Sequence, residues 1–216
     1  MTTPIVYCET NWIVALAFPH HQLHREAIKL RTDAQVGRCR LRVPMASLLE
    51  ARGTLGDVAN QLAASFTSLR NELATGVRNG LTEFSTIALS LQSDVVDKYT
   101  QRNTLPILDE IEADPAIAVL QDVTSNFEVL REMRAKVEFR GKDVVDLHLL
   151  AAIIKDRREE LSGPALLVSH NKKEFDPRKN KVPEALYDDA RLLWRGDFDL
   201  PTGVGQWNSK FGAKAP

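Results

Sequence analysis

Cysteine is scarce in this chain, with two in 216 residues, so no disulfide framework holds it together. Cys8 lies inside an apolar run and reads as a small buried residue suited to a reducing compartment. No apolar run approaches the roughly 20 residues that span a bilayer, and no basic-then-apolar leader is present, so the cytoplasm is the expected address. The net charge of −1 lacks the global basic footprint of an obligate nucleic-acid binder, which leaves only a local basic patch for that role. The usual nucleophile and cofactor motifs are missing as well. There is no Gly-x-Ser-x-Gly elbow, no Walker loop, no Gly-x-Gly-x-x-Gly and no Cys-x-x-Cys.

What the chain does have is carboxylates at structurally telling places. Ile5 to Cys8 suits a buried strand and runs straight into Glu9. The capping types Thr10 and Asn11 and the apolar run Trp12 to Phe18 follow, which reads as strand, tight turn and helix. In an open α/β sheet the site lies at the carboxyl ends of the strands, where Glu9 stands. Pro19 interrupts the helix, and a second one is expected from about His21 to Thr32. His20 and His24 are one turn apart, but with no third ligand nearby a loop and helix start is the better reading. Residues 40–45 alternate as a second strand, with Pro44 limiting its length or placing it near an edge. Ser47 and Glu50 then have the spacing of a capping box. Equally, Glu50 is a second carboxylate one turn beyond a strand end, and the sequence leaves the two readings level.

From Asp57 to about Phe139 the pattern is helical and poor in strands, with helices expected at 57–77, 82–102, 105–112, 115–121 and 123–138. This insertion is expected to form a helical arm or cap. Arg131, Arg134, Lys136, Arg140 and Lys142 make its end basic. The clearest helix covers 143–158, where Leu147, Leu149, Leu150, Ile153 and Ile154 fall on one arc. Asp146 falls near the middle of that arc. A carboxylate facing the core is costly unless a cation, a partner or water meets it, so Asp146 reads as functional and Asp143 as an N-cap. His148 points to the polar side.

Residues 164–171 form a compact apolar run, expected to be a second fully buried strand of the parallel type. It ends in Ser169, His170 and Asn171, the place Glu9 holds on the first strand. A basic stretch with Lys172, Lys173, Arg178, Lys179 and Lys181 follows, interrupted by Asp176. A short helix at 183–188, a last strand at 191–194 and a loosely held tail from Pro201 to Pro216 complete the reading. The whole is one α/β domain over residues 1–200, with a helical insertion at about 57–140 and a tail at 201–216.

Glu9, Glu50 and Asp146 thus follow strand ends or start helices, and Asn171 or Asp176 adds a fourth polar group. Clustered carboxylates repel one another unless a cation compensates, and hard oxygen ligands suit Mg²⁺ or Mn²⁺. The chain resembles the PIN-domain family of metal-dependent ribonucleases. The resemblance rests on Tyr7-Cys8-Glu9-Thr10-Asn11, Leu48-Leu49-Glu50-Ala51, Asp146-Leu147-His148-Leu149-Leu150-Ala151-Ala152, and Leu167 to Asn171 with Lys173 to Asp176, and covers roughly residues 4–55 and 141–195.

The resemblance implies a central parallel sheet flanked by helices. It implies metal-binding acids at Glu9, Glu50 and Asp146, with Asn171 (aspartate in many members) or Asp176 close behind it positioning water. The Thr10 hydroxyl would help order the first acid. The activity implied is a Mg²⁺- or Mn²⁺-dependent endoribonuclease that leaves a 5′-phosphate and a 3′-hydroxyl. Its partners would be an RNA substrate, with an antitoxin, another protein or a second copy of the chain also admitted, and no membrane. A catalytically silent domain that binds RNA or protein is the alternative, motivated by Asn171 and the long insertion. An α/β enzyme acting on a small phosphorylated substrate through one Mg²⁺ is the third.

Overall fold

A computed structural model describes residues 2–81, 83, 105–121, 127–136, 144–179 and 184–212. Its centre is a five-stranded, all-parallel sheet in the order β3-β2-β1-β4-β5. The strands are β1 (Ile5–Cys8), β2 (Arg40–Pro44), β3 (Ile117–Leu120), β4 (Ala165–Val168) and β5 (Leu193–Arg195). The helices are α1 (Thr10–Ala17), α2 (His24–Gln35), α3 (Met45–Arg78), α4 (Leu105–Ala113), α5 (Phe127–Lys136), α6 (Val144–Glu159), α7 (Lys172–Phe175), α8 (Glu184–Asp189) and α9 (Leu200–Phe211). The expected α/β class with a parallel central sheet is what the chain adopts. No described helix is long and apolar enough to cross a membrane.

Side-chain alternation divides the core into two layers. Val6, Cys8, Leu41, Val43, Leu166 and Val168 face α1, α2, α4, α9 and part of α3. Ile5, Tyr7, Ala165 and Leu167 face α5, α6, α7 and α8. Strands covered on both sides have no polar face, which is why β1 and β4 read as unbroken apolar runs. β2 alternates because Arg42 meets one acid on α6 and another just after it. Arg42 pairs with Asp156 and, at 2.6 Å, with Glu160, while Tyr7 donates its hydroxyl to Asp156 at 2.6 Å.

Two expectations are corrected here, and the choice between two readings of Pro44 is decided. The helix expected at 115–121 is the strand β3, hydrogen-bonded beside β2. A short apolar run carries no period that separates strand from helix, and only a free sheet edge decided it. With β3 in place β2 is an interior strand, and Pro44 ends it rather than marking an edge. The tail expected from Pro201 is helix α9, with Leu200, Gly203, Trp207 and Phe211 buried. Pro201 sits at its first turn, where a missing N–H costs nothing. A Cβ on Gly203 would lie 2.7 Å from Leu166 Cδ1, so α9 touches β4 closely here. Gly203→Val is expected to destabilise by about 2 kcal/mol through overpacking, readable as a lower urea midpoint with unchanged slope.

Part of the insertion expected at about 57–140 joins the core and the sheet as α4 and β3, and its first part belongs to helix α3. This helix has 34 residues, about 50 Å of helix, yet its buried residues are confined to Ala46, Ser47, Leu48, Ala51 and Leu55. Apart from residue 83, the helix expected at 82–102 lies outside the described residues, as does Asp143.

Candidate active site

The strand order reverses between β1 and β4. From β1 the chain moves outward through β2 to β3, then returns to β4 on the other side of β1. In open α/β sheets such a switch point opens a crevice at the carboxyl ends of the two strands. Glu9 follows β1 there, and Ser169, His170 and Asn171 follow β4.

Glu9 is itself the N-cap of α1, a role the sequence assigned to its neighbours. Its carboxylate accepts from the Asn11 backbone N–H at 3.2 Å and from Asn11 Nδ2 at 2.6 Å. These bonds, with the Ser169 hydroxyl, favour the charged form. Burial outweighs them, and the nearby Glu50 charge adds to it, so the Glu9 carboxyl is pushed above the usual range. Only 3% of the residue is exposed.

Glu50 reaches the same place from the second turn of α3. Thr10 Oγ1 donates to its carboxylate, while Ser47 O lies farther from that hydroxyl, at 3.4 Å. The capping-box alternative for Glu50 is not realised. Helix α3 starts at Met45 straight from β2, its N-cap is Pro44, and no side chain caps it. Ser47 instead lies fully buried with its hydroxyl lacking any partner. The hydroxyl of Thr10 therefore orders the second acid, whereas the resemblance assigned it to the first.

Asn171 is joined to this group through Ser169. Its backbone N–H donates to Ser169 Oγ at 3.0 Å, and its Oδ1 caps α7 by accepting from the Glu174 N–H at 3.3 Å. Asp176 is turned to a different task. Its carboxylate takes Arg178 in a two-pronged pair at 2.9 and 2.7 Å, which holds it below the usual range. Asp146 is half-buried in the first turn of α6. Because α6 leads back to the start of β4, its first turn lies at the carboxyl end of the sheet, the end that holds Glu9. The arc of Leu147, Leu149, Leu150, Ile153 and Ile154 is buried as expected.

Among the described residues no three His, Cys, Asp or Glu side chains stand together as a metal site. The histidines near α1 are used locally. His24 Nδ1 lies 2.8 Å from the Ala15 carbonyl, and His21 Nδ1 accepts from the Leu23 N–H at 3.2 Å.

The donors at the crevice do fit a hard divalent cation. Two carboxylates converge, each oriented by a neighbour. Mg²⁺ keeps several waters and takes one or two carboxylates together with substrate phosphates, so two protein acids suffice. Sequence reasoning missed Ser169 and Asn11 as partners of Glu9. A hydroxyl and an amide of this kind are too common at turns to stand out without their neighbours. Compared with known proteins, the chain matches no family model and no curated sequence.

Proposed function

We propose that this protein is a Mg²⁺- or Mn²⁺-dependent endoribonuclease of the PIN-like kind, acting at the crevice between β1 and β4. The observation that carries this reading is the convergence of Glu9 and Glu50, one buried and both hydrogen-bonded into place, at the switch point of an all-parallel sheet. Glu9 and Glu50 would hold the cation, with Asp146 contributing from the start of α6. When bound, the cation supplies charge neutralisation at a phosphodiester and a water of lowered pKa. The chain's own contribution is orientation. Asn11 fixes both oxygens of Glu9, Thr10 fixes Glu50, and Ser169 links Glu9 to the end of β4.

Burial holds Glu9 ready to lose a proton when a cation arrives. A carboxylate with a raised pKa is neutral more often in the free protein and ionises against positive charge. RNA is the substrate class favoured by the resemblance. The cations that follow Asn171 stand at the crevice end of the sheet, where phosphates would be met.

A silent binding domain is the second reading. It is favoured by Asn171, whose oxygen caps α7 and which carries no charge toward the crevice. Labelled mixed-sequence single-stranded RNA, incubated with Mg²⁺, Mn²⁺ or EDTA, separates the two. Cleavage is expected only with metal, leaving 5′-phosphate ends, and Glu50→Gln is expected to slow it about 100-fold. Cleavage that persists in EDTA would sink the metal mechanism. RNA binding without cleavage, indifferent to EDTA, would establish the silent domain.

A further inference from the structure

The basic end of the insertion is a feature of the sequence that the candidate active site leaves unused. Arg131 and Arg134 are its members on α5, both exposed. The helix is anchored by Met133, which is fully buried, and by Leu130, which packs against the same core layer as α6. Three residues apart, the two arginines are neighbours on the helix surface. With Leu130, and with His148 from α6, they line a cleft of about 300 Å³ between the two helices.

The charge lining this cleft is of one sign. Among the described residues the nearest acids along the chain are Glu128, Glu132 and Asp146, and none of them lines it. Glu132 is turned to Arg158, which it holds with both oxygens. Arg31, Arg42, Arg158 and Arg178 each hold a carboxylate. Among the described residues Arg131 and Arg134 hold none. Two guanidinium forks left unneutralised above a leucine floor are complementary to an anion, and their planar donors suit the oxygens of a phosphate.

The place of the cleft narrows the choice of anion. His148 is two residues on from Asp146, about 5 Å away along the helix backbone. The cleft therefore opens beside the candidate active site. It lies toward β2 and β3, against which α6 packs. Lys172 and Lys173 follow β4, on the opposite side of β1. Cations thus stand on both sides of Glu9 and Glu50, as a chain of phosphates crossing the crevice requires.

We propose that Arg131 and Arg134 clasp one phosphodiester of a single RNA strand, on the β2 side of the bond to be cut. His148 closes the cleft from α6, and Leu130 lies under the sugar. The substrate class rests on the nuclease reading of the crevice. The clasp itself binds the strand and takes no part in the chemistry.

Fluorescence anisotropy of a short labelled oligouridine, titrated with the full chain in EDTA, tests the clasp without cleavage. Arg131→Gln and Arg134→Gln are each expected to weaken binding about tenfold. The double variant is expected to flatten the dependence of log affinity on log salt by about 0.7, the share of one phosphate on a single strand. Arg25→Gln, which removes an exposed charge from α2 in the opposite helix layer, is expected to change neither. A circular dichroism spectrum matching the parent verifies the fold of each variant. Affinity and salt slope equal in the double variant and in Arg25→Gln would overturn the proposal, as would a parent chain that does not bind oligouridine. So would inorganic phosphate that binds the parent and not the double variant while oligouridine binding is unmoved, because the cleft would then serve a free anion. With Mg²⁺ present, Arg134→Gln is expected to raise KM about tenfold and keep kcat. A parent that binds the strand through these arginines without cutting it would sink the nuclease reading and leave the clasp standing.

Discussion

Replacing Arg157 with methionine is expected to lower the unfolding free energy by about 3–5 kcal/mol. That is a large share of the roughly 5–15 kcal/mol that holds a domain together. Arg157 is 0% exposed, and among the described residues no carboxylate is hydrogen-bonded to its guanidinium. It is met instead by five backbone carbonyls. Nε donates to Ala190 O at 3.1 Å, one terminal nitrogen to Glu160 O and to Ser162 O at 3.4 Å, and the other to Leu161 O at 3.0 Å and Gly163 O at 2.8 Å. These use all five N–H groups of the side chain. They tie the loop that feeds β4 to the turn that precedes β5.

Methionine would fill the space and leave five carbonyls short of a partner in a dry setting. Lysine should restore little, because an ammonium has three donors at one point and cannot span the fork. Thermal unfolding is expected to shift down by roughly 10 °C. Arg158→Met is the control, since Arg158 and Glu132 form a half-exposed pair worth less than about 1 kcal/mol. Equal stability of Arg157→Met and the parent chain would show that water reaches those carbonyls.

Glu9→Gln is expected to make the protein more stable at neutral pH while slowing metal-dependent cleavage about 100-fold or more. The two effects have one cause. Burial, reinforced by Glu50, raises the Glu9 pKa in the folded chain above its ordinary value near 4.5. Below that ordinary value the carboxyl is protonated in both states, and ionisation costs the fold nothing. As pH rises through the window between the ordinary and the raised value, the unfolded chain releases its proton first and stability falls. The loss persists at neutral pH. Glutamine never ionises, so the variant should match the parent near pH 4 and exceed it at pH 7.

Asp33, Asp114, Asp176 and Glu160 act in the opposite sense. Their folded-state values are lowered, and the stability they contribute is lost on acidification. Only the difference between variant and parent isolates Glu9. Adding Mg²⁺ should stabilise the parent, by about 2.7 kcal/mol at 100 times its dissociation constant, and leave the variant unmoved. Urea unfolding at several pH values, with and without Mg²⁺, reads all of this. A difference between the two proteins that does not change with pH would remove the buried charge from the explanation.

The candidate site was partly legible in the residues. An apolar run that ends on polar residues and a helix start, on Glu9 in one case and on Ser169 to Asn171 in the other, announces a strand with candidate site residues at its carboxyl end. Glu50 stayed ambiguous because Ser-x-x-Glu serves both a helix cap and a second acid. The helix start decided it. Once β2 runs directly into α3 at Met45, Ser47 is already inside the helix and Glu50 is left facing Thr10. Asp176 looked like a reserve acid, and only the fold of the following turn gave it to Arg178.

The sequence by itself determined the local elements with strong periods or strong boundaries. These are the buried strands β1 and β4, the α6 helix with its apolar arc, and the breaks at proline. Each depends on side chains a few residues apart, which a linear pattern records. The tertiary structure alone decided what depends on residues far apart. It made Ile117–Leu120 the edge strand beside β2, drew α9 onto β4 where Gly203 allows it, and closed five carbonyls around Arg157. It also brought Thr10 to Glu50 across 40 positions. A hydrogen bond between distant side chains leaves no period in the sequence, because the backbone that aligns them exists only once the sheet has formed.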